Sequence, residues 1–308
     1  MINRTLIRIR ILQVLYSYYQ NGSADLKAAE NELLFSLRKS YDLYYYFLLL
    51  MISLTDLLER TFDSRKHKYM PSDEERNPNM RLVNNRFVRQ LRDNEALLAY
   101  VGEYKIGWDN DQDFVKGVLD AVLSSDLYAA YLSDPDDSYE TDRTFWRSAF
   151  KAFVCEDDTV AGFLEDKSIY WNDDVSFIET FTIKTIKYFK EQHGGRQALL
   201  PMFADEETRL FAINLFRHSL LHGQEIRGRI GRRMNNWDTD RVASIDLIIM
   251  QVAVAEIMFF PSIPISVSMN EYIDIAKHYS TPRSGFFING ILDGIIEELK
   301  KENILFKD

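Results

Sequence analysis

The sequence predicts an all-α protein, and three observations lead to that class. Apolar residues recur at three- and four-residue steps through long stretches, which is the period of a helix and not the alternation of a strand. The 308 residues include only 7 prolines and 13 glycines, so few positions interrupt a helix. Hydrophobic residues make up 46% and charged residues 27%, the balance of a globular protein that buries a core.

The N-terminal part of the chain predicts helices followed by a polar loop. The first helix runs from about Arg4 to Gln20, and residues 21–23 end it with a glycine. A second helical segment begins near Ala24 and leads into an apolar run over residues 43–55, which is too short to cross a bilayer and predicts a buried helix. Residues 64–88 are polar and contain two prolines, which predicts a loop. The first residues lack an apolar signal core, so we expect a soluble, cytoplasmic protein with no membrane partner.

Acidic turns separate the helices that are predicted for the middle of the chain. These helices span residues 89–102, 114–132, 143–155 and 175–192. The region is strongly acidic: residues 102–179 hold 19 acidic and 6 basic side chains, within a chain whose net charge is −10. Such a chain is not expected to coat nucleic acid non-specifically, yet its segregated charge leaves room for a local basic face.

The last hundred residues predict five helices. Their expected spans are 205–223, 224–236, 242–260, 269–279 and a final stretch from 282. Residues 242–260 are apolar on nearly every face, which predicts the central buried helix. Ser268 and Glu271 have the spacing of a capping box, so the next helix is expected to begin at Met269. Thr281 and Pro282 are expected to open the final helix as its N-cap and first residue.

No sequence pattern predicts catalysis. The 308 residues contain no Walker A sequence, no dinucleotide-binding glycine turn and no nucleophile elbow. His218 and His222 have the spacing of a metal-binding pair, but Ser219 stands where the zincin motif has Glu and no third ligand is evident, so structural histidines are the expectation. Cys155 is the only cysteine, which excludes an internal disulfide. We therefore expect no enzyme activity, no metal and no cofactor.

An arginine cluster over residues 227–233 is the first candidate for contact with nucleic acid. Lys and Arg contacts to phosphates release counterions and give salt-dependent affinity. A solvated helix face that balances the acidic middle region is an equally good interpretation of the same arginines. Both interpretations stay open on the sequence alone.

The second candidate combines the two ends of the chain. Arg4 and Arg8 are four residues apart and share one face of the first helix. Arg283 opens the last helix, where free backbone amides and the helix dipole favour an anion. Tyr279 and Phe287 flank that turn. Arginines beside aromatic side chains are what single-stranded RNA requires, because the charges meet phosphates and the flat rings meet bases.

Several short motifs in the same regions resemble the NusB family. In this chain, the residues similar to the family's first-helix signature are Arg8-x-x-x-x-Gln13-Val-Leu-Tyr16. Those that resemble the family's central helix are Asn236-Trp-Asp-x-x-Arg241, Ile245-Asp246 and Ala253-x-Ala-Glu256-Ile. Those that resemble the family's C-terminal block are Ile263-Pro264, Met269-Asn270-Glu271, Ala276-Lys277 and Phe287-Ile-Asn289-Gly290-Ile-Leu-Asp293. The resemblance covers roughly residues 1–40 and 203–296.

The resemblance implies a NusB-like fold of two helical subdomains. Residues 1–40 and 203–308 would form that fold, and residues 41–202 would be a large, mainly helical, acidic insertion. The resemblance also implies a non-catalytic transcription antitermination factor that binds boxA-type single-stranded RNA together with the ribosomal protein NusE. Such a factor acts in the elongation complex of RNA polymerase and other Nus factors, and it supports processive transcription of rRNA operons.

By position, the resemblance implies six residues that face RNA and two at the protein partner. The RNA-facing residues would be Arg4, Arg8, Tyr279, Arg283, Ser284 and Phe287. Tyr16 and Asp246 would lie at or near the contact with NusE. The first helix departs from the family, because Thr5, Leu6 and Ile7 interrupt a run that is usually more basic. Arg283 stands where some relatives carry an acid.

Two other functions remain open on the sequence. One is a protein-only scaffold that keeps the partner surface without affinity for RNA. The other is an RNA-docking domain like those fused to rRNA methyltransferases. That enzyme would need a βαβ cofactor domain with a glycine-rich turn, whereas residues 41–200 predict helices and acidic loops.

Overall fold

The protein is all-α, which confirms the predicted class. A computed structural model describes residues 1–22, 25–234 and 243–307. The described residues contain fifteen α-helices and no β-strand, with one isolated parallel bridge between Ile2 and Phe203. In chain order the helices are α1 (Arg4–Gln20), α2 (Leu26–Lys66), α3 (Asp73–Arg76), α4 (Arg86–Arg92), α5 (Glu95–Tyr104), α6 (Gln112–Leu123), α7 (Asp126–Ser133), α8 (Tyr139–Phe150), α9 (Asp158–Lys167), α10 (Val175–Tyr188), α11 (Glu206–Leu221), α12 (Gly223–Arg233), α13 (Ser244–Phe259), α14 (Ile265–Tyr279) and α15 (Ser284–Lys301).

Two compact units make up the chain. Unit 1 comprises Met1 and Arg38–Met202, and unit 2 comprises Ile2–Leu37 and Phe203–Asp308. The motif Asn236-Trp-Asp-x-x-Arg241 lies outside the described residues.

In unit 2, α13 is the central helix, as its sequence predicts. It packs against α1, α11, α12, α14 and α15. Residues from every turn of it are buried, including Ile249, Met250 and Val252, none of which exposes any surface. Burial of an all-round apolar helix on all sides removes its side chains from water, and each large one contributes about 1.5–3 kcal/mol.

The starts of the last two helices differ from the prediction. α14 begins at Ile265, directly after Pro264, and not at Met269. Ser268 therefore lies inside the helix, where its hydroxyl donates to buried Glu256 and makes no capping box. The final helix begins at Ser284, because Thr281 and Pro282 form the turn before it. The capping prediction was wrong because both members of the motif bind residues distant in sequence: Ser268 donates to Glu256, and Glu271 accepts from Arg8.

In unit 1, the C-terminal part of α2 carries the buried apolar run. Leu43, Phe47 and Leu48 expose no surface. Two indoles hold the helix from outside: Trp108 donates to the Tyr46 carbonyl at 2.8 Å and Trp171 donates to the Lys39 carbonyl at 2.9 Å. By length and composition α2 could cross a membrane, but 61% of its most apolar window is buried inside the fold, as in a core helix.

Two helices predicted as single segments in unit 1 are each divided by a polar cap. Asn94 accepts from the Leu97 amide and starts α5 directly after α4, and Ser125 accepts from the Tyr128 amide and starts α7 directly after α6. After α8 the chain continues as one π-helical turn, Lys151–Cys155, and after α10 it forms a 3₁₀ turn, Glu191–Arg196. Polar caps interrupt the helices because they satisfy amides that a new helix leaves unpaired.

Candidate RNA interface

The start of α15 forms a surface groove in unit 2. The groove has a volume of about 720 Å³, and it is lined by Arg233, Arg283, Phe286, Phe287, Gly290, Ile291 and Gly294. All of these residues except Arg233 lie on α15 or at its N-cap, at the three- and four-residue spacing of one helix face. The groove therefore combines two guanidinium groups with two phenyl rings along a single face.

Two glycines give this groove its depth. A Cβ placed at Gly294 would lie 3.4 Å from Cδ of Arg233, so the glycine lets the arginine chain pass directly over the helix. A Cβ at Gly290 would meet no atom within 4 Å, which leaves open space above the helix there. A larger residue at either position would fill the groove or displace Arg233.

The exposed ring in the groove is Phe286, which the sequence analysis did not select. Phe286 is 87% exposed, whereas Phe287 is half-buried. Ile288, Ile291 and Leu292 form the buried face of α15, so a helical wheel places Phe286 farther from the core than Phe287. That periodicity is the signal by which the sequence could have identified it.

Arg283 lines the groove, and Tyr279 lies four residues before it in the chain. Arg283 is the N-cap residue of α15 and is exposed. Tyr279 is the last residue of α14 and is half-buried. The positions of Arg283, Tyr279 and Phe287 are thus compatible with contact to a ligand at this end of α15.

Ser284 and Asp246 are buried, which corrects the expectation that they form contact surfaces. Ser284 is 3% exposed, and its hydroxyl donates to Oδ2 of Asp246 at 2.8 Å while accepting from the Thr281 amide. Asp246 is 4% exposed, and its Oδ1 has no hydrogen-bond partner among the described residues. The pair connects the first turn of α13 to the first turn of α15 and so orders the turn that carries Arg283.

Arg8 is also buried, and the expectation that it faces RNA beside Arg4 is corrected. Arg8 is 3% exposed and makes a two-pronged ion pair with Glu256, with both N–O distances 2.8 Å, and a third contact of 3.0 Å to Glu271. Burial acts to lower the pKa of Arg8, but the hydrogen bonds and charges of its partners outweigh it and raise that pKa. Arg8 is a structural cation that links α1 to α13 and α14.

Arg4 and Tyr16 remain at the surface of α1. The side chain of Arg4 is 37% exposed and pairs with Glu207 at 2.6 Å, and its guanidinium lies 5.1 Å from the centre of the Phe211 ring. Tyr16 is 40% exposed. An anion that bound Arg4 would therefore have to compete with Glu207.

The arginine cluster of α12 is occupied by acidic residues of α15 and by stacking. Arg229 pairs with Glu298 and with Glu302, in both cases at 2.8 Å, and Arg232 and Arg233 pair with Glu298 at 2.9 and 3.3 Å. The hydrogen bond from Arg232 is the largest cause of the lowered pKa of Glu298. Arg227 lies 3.7 Å from the centre of the Tyr19 ring and donates to Gln251. Only Arg233 also lines the groove. The acids that pair with Arg229, Arg232 and Arg233 belong to unit 2, so neither the phosphate contact nor a balance with the acidic middle region is tested by these contacts.

The histidine pair packs against aromatic rings. His218 stacks on Phe259 with ring centres 4.3 Å apart, and His222 packs against the same ring at 4.3 Å. Burial, followed by the neighbouring His222, lowers the pKa of His218. In the part of the chain that the structure describes, no group of three His, Cys, Asp or Glu residues could hold a metal ion.

The fold and the groove define a class: an all-α protein with an arginine- and phenylalanine-lined surface at the start of its last helix. Residues 182–297 match the family model described as NusB family. The transcription antitermination protein NusB of Salinibacter ruber is 40% identical over 132 residues, which cover 41% of this chain and 82% of that protein. The protein of the same name from Geobacter sulfurreducens is 40% identical over 119 residues, covering 36% and 86%. This chain belongs to the NusB family.

The long relative from Chloroherpeton thalassium differs in coverage: it is 38% identical over 104 residues, which cover 34% of this chain and 49% of that protein. No solved structure matches the chain. Family membership confirms the predicted resemblance.

Proposed function

We propose that this protein is a cytoplasmic transcription antitermination factor that binds boxA-type single-stranded RNA together with the ribosomal protein NusE. In this proposal it acts with RNA polymerase and other Nus factors to keep transcription of rRNA operons processive. In this proposal residues 1–40 and 203–308 supply the NusB-like fold, and residues 41–202 are an insertion of which only residues 182–202 fall within the family-model match. The observation that carries the proposal is the groove at the start of α15, with exposed Phe286 beside Arg283.

The chemistry of the groove fits unpaired nucleotides. A ring that is 87% exposed offers a face for a base, and the two guanidinium groups that line the groove offer charge for phosphates. Tyr279 and Phe287 extend the aromatic surface, and Tyr16 of α1 is proposed for the NusE contact. Ser284 and Asp246 act behind the surface by ordering the turn before α15.

A second candidate function is a protein-only scaffold. The ion pairs of Arg4 with Glu207 and of Arg8 with Glu256 favour it, because they leave the first helix with little free positive charge. A scaffold would bind NusE and show no affinity for RNA.

The test is fluorescence anisotropy of a labelled boxA-like RNA, titrated with the protein alone and with its NusE partner at two salt concentrations. Phe286→Ala should weaken binding about 5- to 100-fold, the range expected for one stacked base. Its control is Phe306→Ala, because Phe306 is equally exposed at 87% and lies outside the groove. Arg283→Gln should lower the salt slope by about 0.7, one phosphate contact, and Lys301→Gln on the same helix should not.

Each outcome separates the two candidates. Salt-sensitive binding that the groove variants weaken and the controls retain supports the antitermination factor. Binding of NusE without any binding of RNA, at either salt concentration, would establish the scaffold instead.

A further inference from the structure

A basic surface interrupts the acidic middle of the chain. Four cations lie within thirteen residues at the end of α10 and in the turn that follows, against a single acid, Glu191. We call this surface the basic strip; its members are Lys184, Lys187, Lys190 and Arg196. All four are exposed, whereas the preceding residues 102–179 carry 19 acidic and 6 basic side chains.

The cations of the basic strip are unpaired, unlike most others on unit 1. Arg86, Arg92 and Lys116 form ion pairs with Asp137, Asp56 and Asp120 respectively. Among the described residues, none of the four members of the strip has an acidic partner within 4.0 Å. Lys184 and Lys187 are three residues apart on α10, so their like charges repel each other. A polyanion that binds the strip relieves that repulsion and releases its own counterions.

Capping of the helix does not account for these charges. Cations often lie at a helix C-terminus because they satisfy its last carbonyls. Here Arg143 fills that role, since its Nη1 donates to the carbonyls of Lys187 and Phe189 at 2.7 and 2.6 Å. Arg143 is itself paired with Glu140, which leaves the strip's own side chains free of this task.

The backbone under the basic strip is held rigidly. Gln90 donates to the carbonyls of Lys190 and Gly194, both at 2.9 Å, and Asn94 donates to the Gln197 carbonyl at 2.8 Å. Gln197 in turn accepts from the Lys190 amide at 3.0 Å. A fixed backbone lowers the backbone entropy that is lost when a ligand binds here.

An exposed aromatic ring lies among these cations. Tyr188 is the last residue of α10, one turn after Lys184, and it is 58% exposed. An aromatic face within a track of unpaired cations is the arrangement by which single-stranded nucleic acid is bound without sequence preference. An acidic protein segment would use the charges but would have no need of the ring.

We propose that the basic strip and Tyr188 bind a second stretch of single-stranded RNA, outside the boxA-type element. This inference rests on the proposed function, because it assumes that the core element is held by the groove at α15. The strip contacts phosphates through its cations, and Tyr188 stacks on a base.

The test compares two labelled RNAs by fluorescence anisotropy at several salt concentrations: the boxA-like core, and the same core extended by about ten nucleotides at either end, within the site size of such surfaces. The extended RNA should bind more tightly, with a salt slope steeper by about 2 to 3 for three or four added phosphate contacts. The triple variant Lys184→Gln, Lys187→Gln and Lys190→Gln should remove this gain and leave binding of the core unchanged. Tyr188→Ala should reduce the gain about 5- to 100-fold.

The matched control for charge is Arg65→Gln, Lys66→Gln and Lys105→Gln, which removes three exposed cations from the same unit. The control for the ring is Tyr69→Ala, since Tyr69 is 99% exposed. The inference is wrong if the triple variant and its control lose the same affinity for the extended RNA. It is also wrong if the wild type binds the extended RNA no more tightly than the core. Neither result affects binding of the core. Polyglutamate serves as a probe for acidic proteins. If the wild type binds it, the triple variant does not, and Tyr188→Ala leaves binding of the extended RNA unchanged, the surface binds acidic proteins instead. Failure of the wild type to bind the core at any salt concentration is failure of the proposed function; the strip is then refuted only if the extended RNA also fails to bind.

Discussion

Replacing Arg8 with Met should destabilise unit 2 strongly, because the substitution leaves a carboxylate without a cation inside the core. Glu256 exposes no surface, and Arg8 meets it through two N–O contacts of 2.8 Å. Ser268 and Tyr272 still donate to Glu256 after the change, but neither carries a positive charge. Removing one partner of a buried ion pair costs about 3–5 kcal/mol.

Arg4→Met on the same helix is the matched control. Its pair with Glu207 has side-chain exposures of 37% and 73%, and an exposed ion pair is worth about 0–1 kcal/mol. The two variants remove the same charge from the same helix, so a difference between them isolates the effect of burial.

The assay is urea denaturation followed by circular dichroism at pH 7. At an m-value of about 3 kcal/mol/M, the midpoint of Arg8→Met should fall by about 1 M or more. The second substitution Glu256→Gln in the Arg8→Met background should recover part of the loss, because the neutral amide can accept from one of the two hydroxyls and donate to the other without requiring a cation. A loss for Arg8→Met no greater than that for Arg4→Met would refute the assignment of Arg8 as a structural cation.

Three further predictions concern unit 1. Burial raises the pKa of Glu179 from 4.5 to about 7, so folding favours the protonated form and the stability of the protein falls as pH rises between these values. Glu179→Gln should therefore be more stable than the wild type at pH 8, by up to about 3 kcal/mol, and equally stable near pH 4.5. Urea midpoints at the two pH values measure the difference. Burial, with Glu179 and Glu156, raises the pKa of Cys155 to about 12, so a disulfide reagent at pH 8 should react slowly with the folded protein and rapidly in urea. Gly195→Ala would place a Cβ 2.3 Å from the Asp93 carbonyl oxygen and should lower the free energy of unfolding by about 1–3 kcal/mol. Gly117→Ala is the control, because it has open space on α6 and should raise the free energy of unfolding by about 0.5–1 kcal/mol. Equal effects of the two variants on urea midpoints would contradict the close approach at Gly195.

Local periodicity predicted the helices well, and long-range partners decided the rest. The bounds of α1 agree with the expected Arg4–Gln20, and the all-round apolar pattern of α13 identified the central helix. Arg8 was misplaced because its partner Glu256 stands 248 residues away, where no local pattern connects the two. Its neighbours Ile7, Ile9 and Ile11 are apolar and buried, and that was the available signal that this arginine points into the core.

The candidate site was partly predictable for the same reason. Arg283 and Phe287, both selected from the sequence, line the groove, and their contact with RNA stays a prediction. Phe286 was missed, because its exposure follows from the buried face of α15. Arg233 was selected only as a member of the 227–233 arginine cluster, because its place in the groove depends on the packing of α12 on α15. Ser284 has the polarity of a contact residue, but its hydroxyl is used by Asp246.

The hydrogen bonds that hold the backbone at the end of α10 and in the turn Glu191–Arg196 should protect this segment from proteases. Trypsin could cut after Lys184, Lys187, Lys190 and Arg196, which are all exposed. A protease must draw several residues of extended backbone into its active site, which here requires breaking the hydrogen bonds from Gln90, Asn94 and Arg143. Cleavage at these positions should therefore wait for local unfolding of unit 1, and its rate would report how often that unit opens.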